Sequence, residues 1–441
     1  MPRHQYVYRA QTPAAFTLVE LLVSSTIALV VMGAVASLFG IFSRASTNSQ
    51  AIVDLSSRMR STANRLRQDL TGLTAPLTPP LRPESDAGYF ELIEGPIQDG
   101  LATSVSGTLI MQSGTAVWAS GTTSLLADTD DVLLFTTRSP AGPFEGNYNG
   151  AQIESSTAEV AWFCRPSAIQ PVAGVQLQTL YRRQLLVVGY VGAAPFYVAG
   201  SSTNNQVIGT LPAIYGTYDI SLRSDPTVAG ALVPNTLGDL TTRENRFFHG
   251  PTWSAAFPNS WVNVTFDGTT REGEDVVLTN VIAFDVRVFD PDAVARLNGS
   301  TVVYPNDQTY SNALPSAGFT GCFLDLGCSN AVAMTVLSGT GNPKSRLHKT
   351  SLTGTATYDT WSTGYETNGI DDNVPLNGVI DDATNGGDDS VPPNGVIDDA
   401  DETETAPPYS RPLRAIEIRI RCYDPTSREI RQTTVRHTFT N

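Results

Sequence analysis

Histidine is scarce in this chain, and its few copies stand alone. His4, His249, His348 and His437 form no His-Glu-x-x-His pair, and no Gly-x-Ser-x-Gly elbow occurs, so the sequence offers no metalloprotease or serine-hydrolase signature. The four cysteines, Cys164, Cys322, Cys328 and Cys422, include no Cys-x-x-Cys spacing and no nearby histidine pair, which argues against a zinc site. Gly339-Thr340-Gly341-Asn342-Pro343-Lys344-Ser345 has Pro343 where a phosphate loop needs glycine before its lysine, and it reads as a turn. Net basic charge is also lacking. With 28 Lys and Arg against 43 Asp and Glu, the chain carries −15 and has no surface suited to counterion release, so nucleic acid is not an expected partner. No catalytic residue is assigned and no enzyme activity is expected.

Charge is missing most conspicuously near the start. From Phe16 to Phe42 the one ionisable side chain is Glu20. About 20 apolar residues suffice to cross a bilayer as a helix. A secretory signal has an apolar core of about 7–15 residues with the small residues after it; this run is roughly twice as long, and the small pair Ala14-Ala15 precedes it. A carboxylate at that depth costs about 3 kcal/mol on insertion scales, and such residues are retained where a partner charge meets them. Residues 16–43 are therefore expected to form a transmembrane helix, with Glu20 awaiting a cation.

Past the apolar run, Ile52, Leu55, Met59, Ala63, Leu66, Leu70 and Leu73 recur at steps of three and four, with arginines and polar residues between them. This spacing predicts an amphipathic continuation over 44–75, closed by Pro76, Pro79, Pro80 and Pro83. From Phe16 to Leu73 the helix would run roughly 87 Å at 1.5 Å per residue. Its outer half presents a stripe for packing on a head.

Residues 85–348 provide enough chain for one large head or two subdomains. Runs rich in Val, Ile, Leu and aromatics predict strands at 131–138, 158–164, 180–188, 275–288 and 414–422. In the last of these, Ile416, Ile418, Ile420 and Cys422 alternate with Glu417, Arg419 and Arg421, as a strand with one buried face requires. Asp424-Pro425-Thr426-Ser427 supplies a turn, and Ile430 to Phe439 returns, making 412–441 a C-terminal β-hairpin. His437, alternating with Val435 and Phe439, is expected in the core or at an edge. Helix first and antiparallel sheet after gives an α+β class.

An acidic tract occupies 349–411, with no Lys or Arg between Thr350 and Pro408. It holds a loose repeat: Asn368-Gly369-Ile370-Asp371-Asp372, Asn377-Gly378-Val379-Ile380-Asp381-Asp382 and Asn394-Gly395-Val396-Ile397-Asp398-Asp399. Calcium takes six to eight oxygens, and closely spaced Asp and Asn around a Gly turn supply them. EF-hand spacing fails here, since Pro375 and Pro392 fall at ligand positions. Two readings stay open: a self-repelling solvated loop, or a calcium-binding repeat using Asp371, Asp372, Asn377, Asp381, Asp382, Asn394, Asp398 and Asp399. The Ile and Val at fixed offsets favour calcium, acting as a structural staple.

The basic leader with Arg3 and Arg9, the small Ala15, then Phe16-Thr17-Leu18-Val19-Glu20 and a long apolar helix resembles the type IV prepilin signal. The resemblance implies that 1–15 is a leader, that a membrane prepilin peptidase cuts between Ala15 and Phe16 and methylates Phe16, and that Glu20 pairs with the new amine during assembly. The family usually has Gly before the cut, where this chain has Ala15. It also implies a single-pass inner-membrane protein with its head in the periplasm and a β-rich, pilin-like fold. Arg65-Leu66-Arg67-Gln68-Asp69-Leu70, the segments Val160-Ala161-Trp162-Phe163 and Leu180-Tyr181-Arg182-Arg183, and Phe284-Asp285-Val286-Arg287-Val288-Phe289 are similar to the J-type minor pseudopilin of type II secretion. That family joins I- and K-type partners near the filament tip to support protein export. W-type minor pilins of type IV pili, which serve adhesion, motility or DNA uptake, share the outline. A calcium-dependent surface-binding protein using the pilin export route is a reading of another class. Outside the cytoplasm the four cysteines are expected to oxidise, Cys322 with Cys328 and Cys164 with Cys422.

Overall fold

The computed structural model describes residues 17–77, 86–94, 111–112, 115–116, 128–148, 151–167, 177–188, 207–208, 214–224, 231–241, 245–247, 271, 273–305, 314–326, 356–360, 413–427 and 429–439. The chain divides into two compact units, Met1–Asp54 and Leu55–Asn441. Helix α1 covers Leu18–Thr71 and supplies the described residues of the first unit and the first element of the second.

In the first unit the helix carries bare apolar side chains: Leu18, Leu29, Phe39 and Phe42 are all exposed. It is long and apolar enough to cross a membrane, as an anchor or a signal sequence would be. Among the described residues nothing buries that apolar stretch.

In the second unit, Met59, Ala63, Leu66 and Leu70 are buried, and Leu55 and Leu73 pack at the margin of the same cluster. The stripe expected from three- and four-residue spacing is thus the face that packs. Burying its three large members, Met59, Leu66 and Leu70, contributes roughly 5–9 kcal/mol before entropy is counted. The helix stops one residue before Gly72. A Cβ on Gly72 would fall inside van der Waals contact of the Arg138 carbonyl oxygen, so only glycine lets the chain pass this close to the sheet. Arg138 N–H donates to the Gly72 carbonyl at 2.7 Å, and Thr137 Oγ1 donates to the Asp69 carbonyl at 2.7 Å, satisfying acceptors of the last turn.

Among the described residues the dominant element is a ten-stranded sheet, antiparallel at every pairing. Its strands are β1 Phe90–Glu94, β2 Val132–Arg138, β3 Thr157–Pro166, β4 Gln178–Leu186, β5 Val276–Asn298, β6 Thr301–Val303, β7 Leu314–Asp325, β8 Ala356–Asp359, β9 Ala415–Tyr423 and β10 Ile430–Thr438. The order is β8-β1-β2-β3-β4-β5-β9-β10, with β6 and β7 also pairing β5. The class is α+β.

Both faces of the central strands are covered, which explains their nearly unbroken apolar runs. Leu133, Phe135, Val160 and Trp162 join the helix stripe in one core cluster, while their neighbours Val132, Leu134, Ala161 and Phe163 join Tyr89, Leu240 and Phe247 in a second. Near the C-terminus the expectation of one buried face is corrected. Glu417 and Arg421 are buried like the isoleucines between them, because Glu417 accepts from Arg419 Nε at 2.7 Å and Arg436 Nε at 2.6 Å, and Arg421 Nε donates to Gln432 at 2.7 Å. His437 lies on the terminal strand β10, half-buried, its ring 4.9 Å from that of Phe439. β5 runs ten residues past the expected end at 288, with a register irregularity between Asp290 and Val294 where it pairs β7.

Candidate functional site

Residues 1–16, and with them Ala15 and Phe16, lie outside the described residues. Glu20 is described, in the exposed first turn of α1. Thr17 N–H donates to Glu20 Oε2 at 3.0 Å, Thr17 Oγ1 donates to the same oxygen at 2.9 Å, and Glu20 N–H donates back to Thr17 Oγ1 at 3.2 Å. This reciprocal pair is a capping box. It starts the helix at this point and holds the carboxylate beside the backbone nitrogen just after Phe16.

A second constellation joins the helix end to the sheet. Asp69 is buried, and its Oδ2 accepts from Trp162 Nε1 at 3.0 Å and Arg182 Nε at 2.6 Å, while its Oδ1 accepts from Arg182 Nη2 at 2.8 Å. Trp162 and Arg182 are register partners on β3 and β4, so one carboxylate grips two adjacent strands. Arg65, one turn back, lies 3.7 Å from Asp69 and donates to Gln184 at 3.3 Å. These are the helix-end and strand-pair segments named from the sequence, brought together by the fold. The bidentate Arg–carboxylate geometry makes this a strong, directional clamp.

A third cluster was not singled out in the sequence. Asp128, Asp131 and Asp285 each place a carboxylate oxygen within 4.8 Å of the other two, and all three are at most 2% exposed. Val286 N–H donates to Asp131 Oδ2 at 2.6 Å and Phe284 N–H to the Asp128 carbonyl at 2.8 Å, which lays 128–131 along β5. Arg287 Nε stands 3.1 Å from Asp285 and 3.3 Å from Asp325. Asp131 Oδ1 is buried with no hydrogen-bond partner among the described residues. Burial, then the nearby Asp130 and Asp285, push the Asp131 carboxyl well above the usual carboxylate range, despite the Val286 N–H. An all-oxygen set of this kind suits a hard divalent cation. Three acids just ahead of the apolar run 132–135, and an acid inside the run 281–288, were the available signals.

No family model, curated protein or solved structure matches this chain. The chemistry of its own residues therefore carries the functional reading. Other buried charges have structural partners. Glu159 accepts from Tyr89 Oη at 2.6 Å, Ser221 Oγ at 2.6 Å and Phe247 N–H at 2.8 Å, and Arg246 meets Glu91 at 3.0 Å. Burial raises the Glu159 carboxyl even so. A polar cleft of about 520 Å³ has Arg183, Asp219, Arg271, Glu274 and Asp275 in its wall, but these charges face one another, as Arg183–Asp219 at 2.7 Å and Arg271–Asp219 at 2.7 Å.

The expected Cys164–Cys422 bridge is corrected. Cys164, Cys322 and Cys422 are free, buried thiols, and Cys328 lies outside the described residues. Cys164 is on β3 and Cys422 on β9, strands that do not pair with each other, although both thiols lie in one core cluster. Each behaves as a small core residue, and burial pushes the Cys422 thiol up, as burial and then Cys422 do for Cys164. The repeat residues Asp371, Asp372, Asn377, Asp381, Asp382, Asn394, Asp398 and Asp399 lie outside the described residues.

Proposed function

We propose that the chain is a minor pseudopilin, a J-type structural subunit placed near the tip of a type II secretion filament, and not an enzyme. The observation that carries this reading is Glu20: a lone carboxylate in the first turn of an exposed apolar helix, held next to the chain's own backbone at Thr17. In a bilayer such a charge needs a cation. Cleavage after Ala15 would create one at the Phe16 amine, a single residue before Thr17, within reach of this Glu20 or of the same residue on a neighbouring subunit.

The apolar half of α1 would then stack against other subunits in the inner membrane and filament. The Asp69 clamp keeps the helix end and the head one body, so that force on the helix is carried into the sheet. Prepilin peptidase and I- and K-like subunits are the partners this reading requires, and the head would lie in the periplasm.

The first test is mass spectrometry of the mature amino terminus, expected to begin at a methylated Phe16; recovery of the native protein with residues 1–15 attached refutes the reading. The second is Glu20→Ala, expected to reach the membrane normally yet be depleted from sheared filaments at least tenfold. Unchanged incorporation refutes the assembly role of Glu20.

A further inference from the structure

We propose that Asp128, Asp131 and Asp285 bind one calcium ion that fastens segment 128–131 to β5. The three oxygens lie within 4.8 Å of one another. Ligands on opposite sides of calcium, at about 2.3–2.6 Å from the ion, are about 4.6–5.2 Å apart, so the cluster already has the span of one coordination shell. Independently, Asp131 Oδ1 is a buried oxygen without a hydrogen-bond partner among the described residues. An ionised oxygen in that position is strongly unfavourable unless a cation meets it. Its companion Oδ2 is fixed by Val286 N–H at 2.6 Å, so the carboxylate is held in place rather than free to turn away.

Magnesium is a poorer fit. It dehydrates reluctantly and keeps several waters, whereas these carboxylates are enclosed in the protein and calcium accepts an irregular, mostly protein-derived shell. Asp285 also carries Arg287, whose Nε lies 3.2 Å from Oδ1 and 3.1 Å from Oδ2, so the ion shares that carboxylate with the guanidinium. Such an ion would join β5, the strand that pairs β4, β7 and β9, to the segment leading into β2. The inference stands apart from both the filament reading and the acidic repeat at 371–399.

The test uses the full chain in detergent, stripped with EDTA and returned to 1 mM calcium or magnesium. Calcium is expected to raise the Tm of the wild type by roughly 3–6 °C, with under about 1 °C for magnesium. The variant D381N/D382N/D398N/D399N should keep that shift and retain about one calcium per chain after dialysis, by elemental analysis. Asp131→Asn should lose the shift. Asp128→Asn, which leaves the Val286 bond to Asp131 intact, should lose it too and serves if Asp131→Asn does not fold. An undiminished shift in either single variant, its disappearance in the repeat variant, or a dialysed repeat variant without calcium overturns the assignment.

Discussion

Replacing Asp69 by Ala should cost more than any surface charge on this helix. Its carboxylate is 3% exposed and takes three N–H donors, two from Arg182 and one from Trp162. Removing it takes the carboxylate from a guanidinium whose side chain is 9% exposed, leaving Arg182 its bond to Gln184 at 3.0 Å, and leaves the indole N–H without that acceptor. Breaking a buried pair from one side costs about 3–5 kcal/mol, and an orphaned buried donor adds about 1 kcal/mol or more. The expected loss is therefore about 4–6 kcal/mol. With an unfolding entropy of about 2.1 cal/mol/K per residue, a unit of roughly 250–400 residues loses about 1–2 °C per kcal/mol, giving a Tm drop of roughly 5–10 °C. The assay is thermal unfolding of the detergent-solubilised chain followed by tryptophan fluorescence, run as a cycle with Arg182→Leu. The double variant should be clearly less damaged than the sum of the two, by a coupling of at least about 1.5 kcal/mol. A single-variant loss below about 1 kcal/mol, or strict additivity in the cycle, would refute the clamp.

Three further outcomes follow from the packing and charge. Leu66→Ala, at a fully buried helix position, should cost about 2–5 kcal/mol in the same unfolding assay, and a loss under about 1 kcal/mol would show that the stripe does not seat in the sheet. Cys164 and Cys422 should react with a thiol reagent only as the protein unfolds, whereas a disulfide-linked peptide of the two in non-reducing mass spectrometry would contradict the free thiols. Burial pushes the Asp275 carboxyl from its ordinary 3.8 up to about 6, overriding Arg183 at 3.5 Å. The folded state therefore holds the extra proton between those values, and this group's contribution declines as pH rises through that window, by up to about 3 kcal/mol at pH 7. Asp275→Asn should thus be more stable than the wild type at pH 7 and converge with it near pH 4; a difference that does not change with pH would contradict the shift.

Local patterns were legible where one period decided the outcome. The three- and four-residue spacing marked the buried helix face from Met59 to Leu70, and apolar runs located β2, β3, β4 and β9 within one or two residues. Alternation in β9 misled because it distinguishes two faces without saying whether the polar one meets water. Here Arg436 and Arg419 pair with Glu417 and make its burial tolerable. The Asp128–Asp131–Asp285 cluster depends on strand order, which residues far apart in the chain settle together. Asp69, Trp162 and Arg182 were visible as family-like segments, but their hydrogen bonding to one another was not.

The place of β9 in the sheet bears on how the protein is made. Ile416, Ile418, Ile420 and Cys422 complete the core beside β5, yet more than a hundred residues separate the two strands in the chain. At about 5–20 residues per second, the ribosome exposes the waiting flank of β5 for roughly 5–25 s before its neighbour emerges. Through that interval the flank of β5 is an open edge, the kind of surface on which nascent chains pair wrongly.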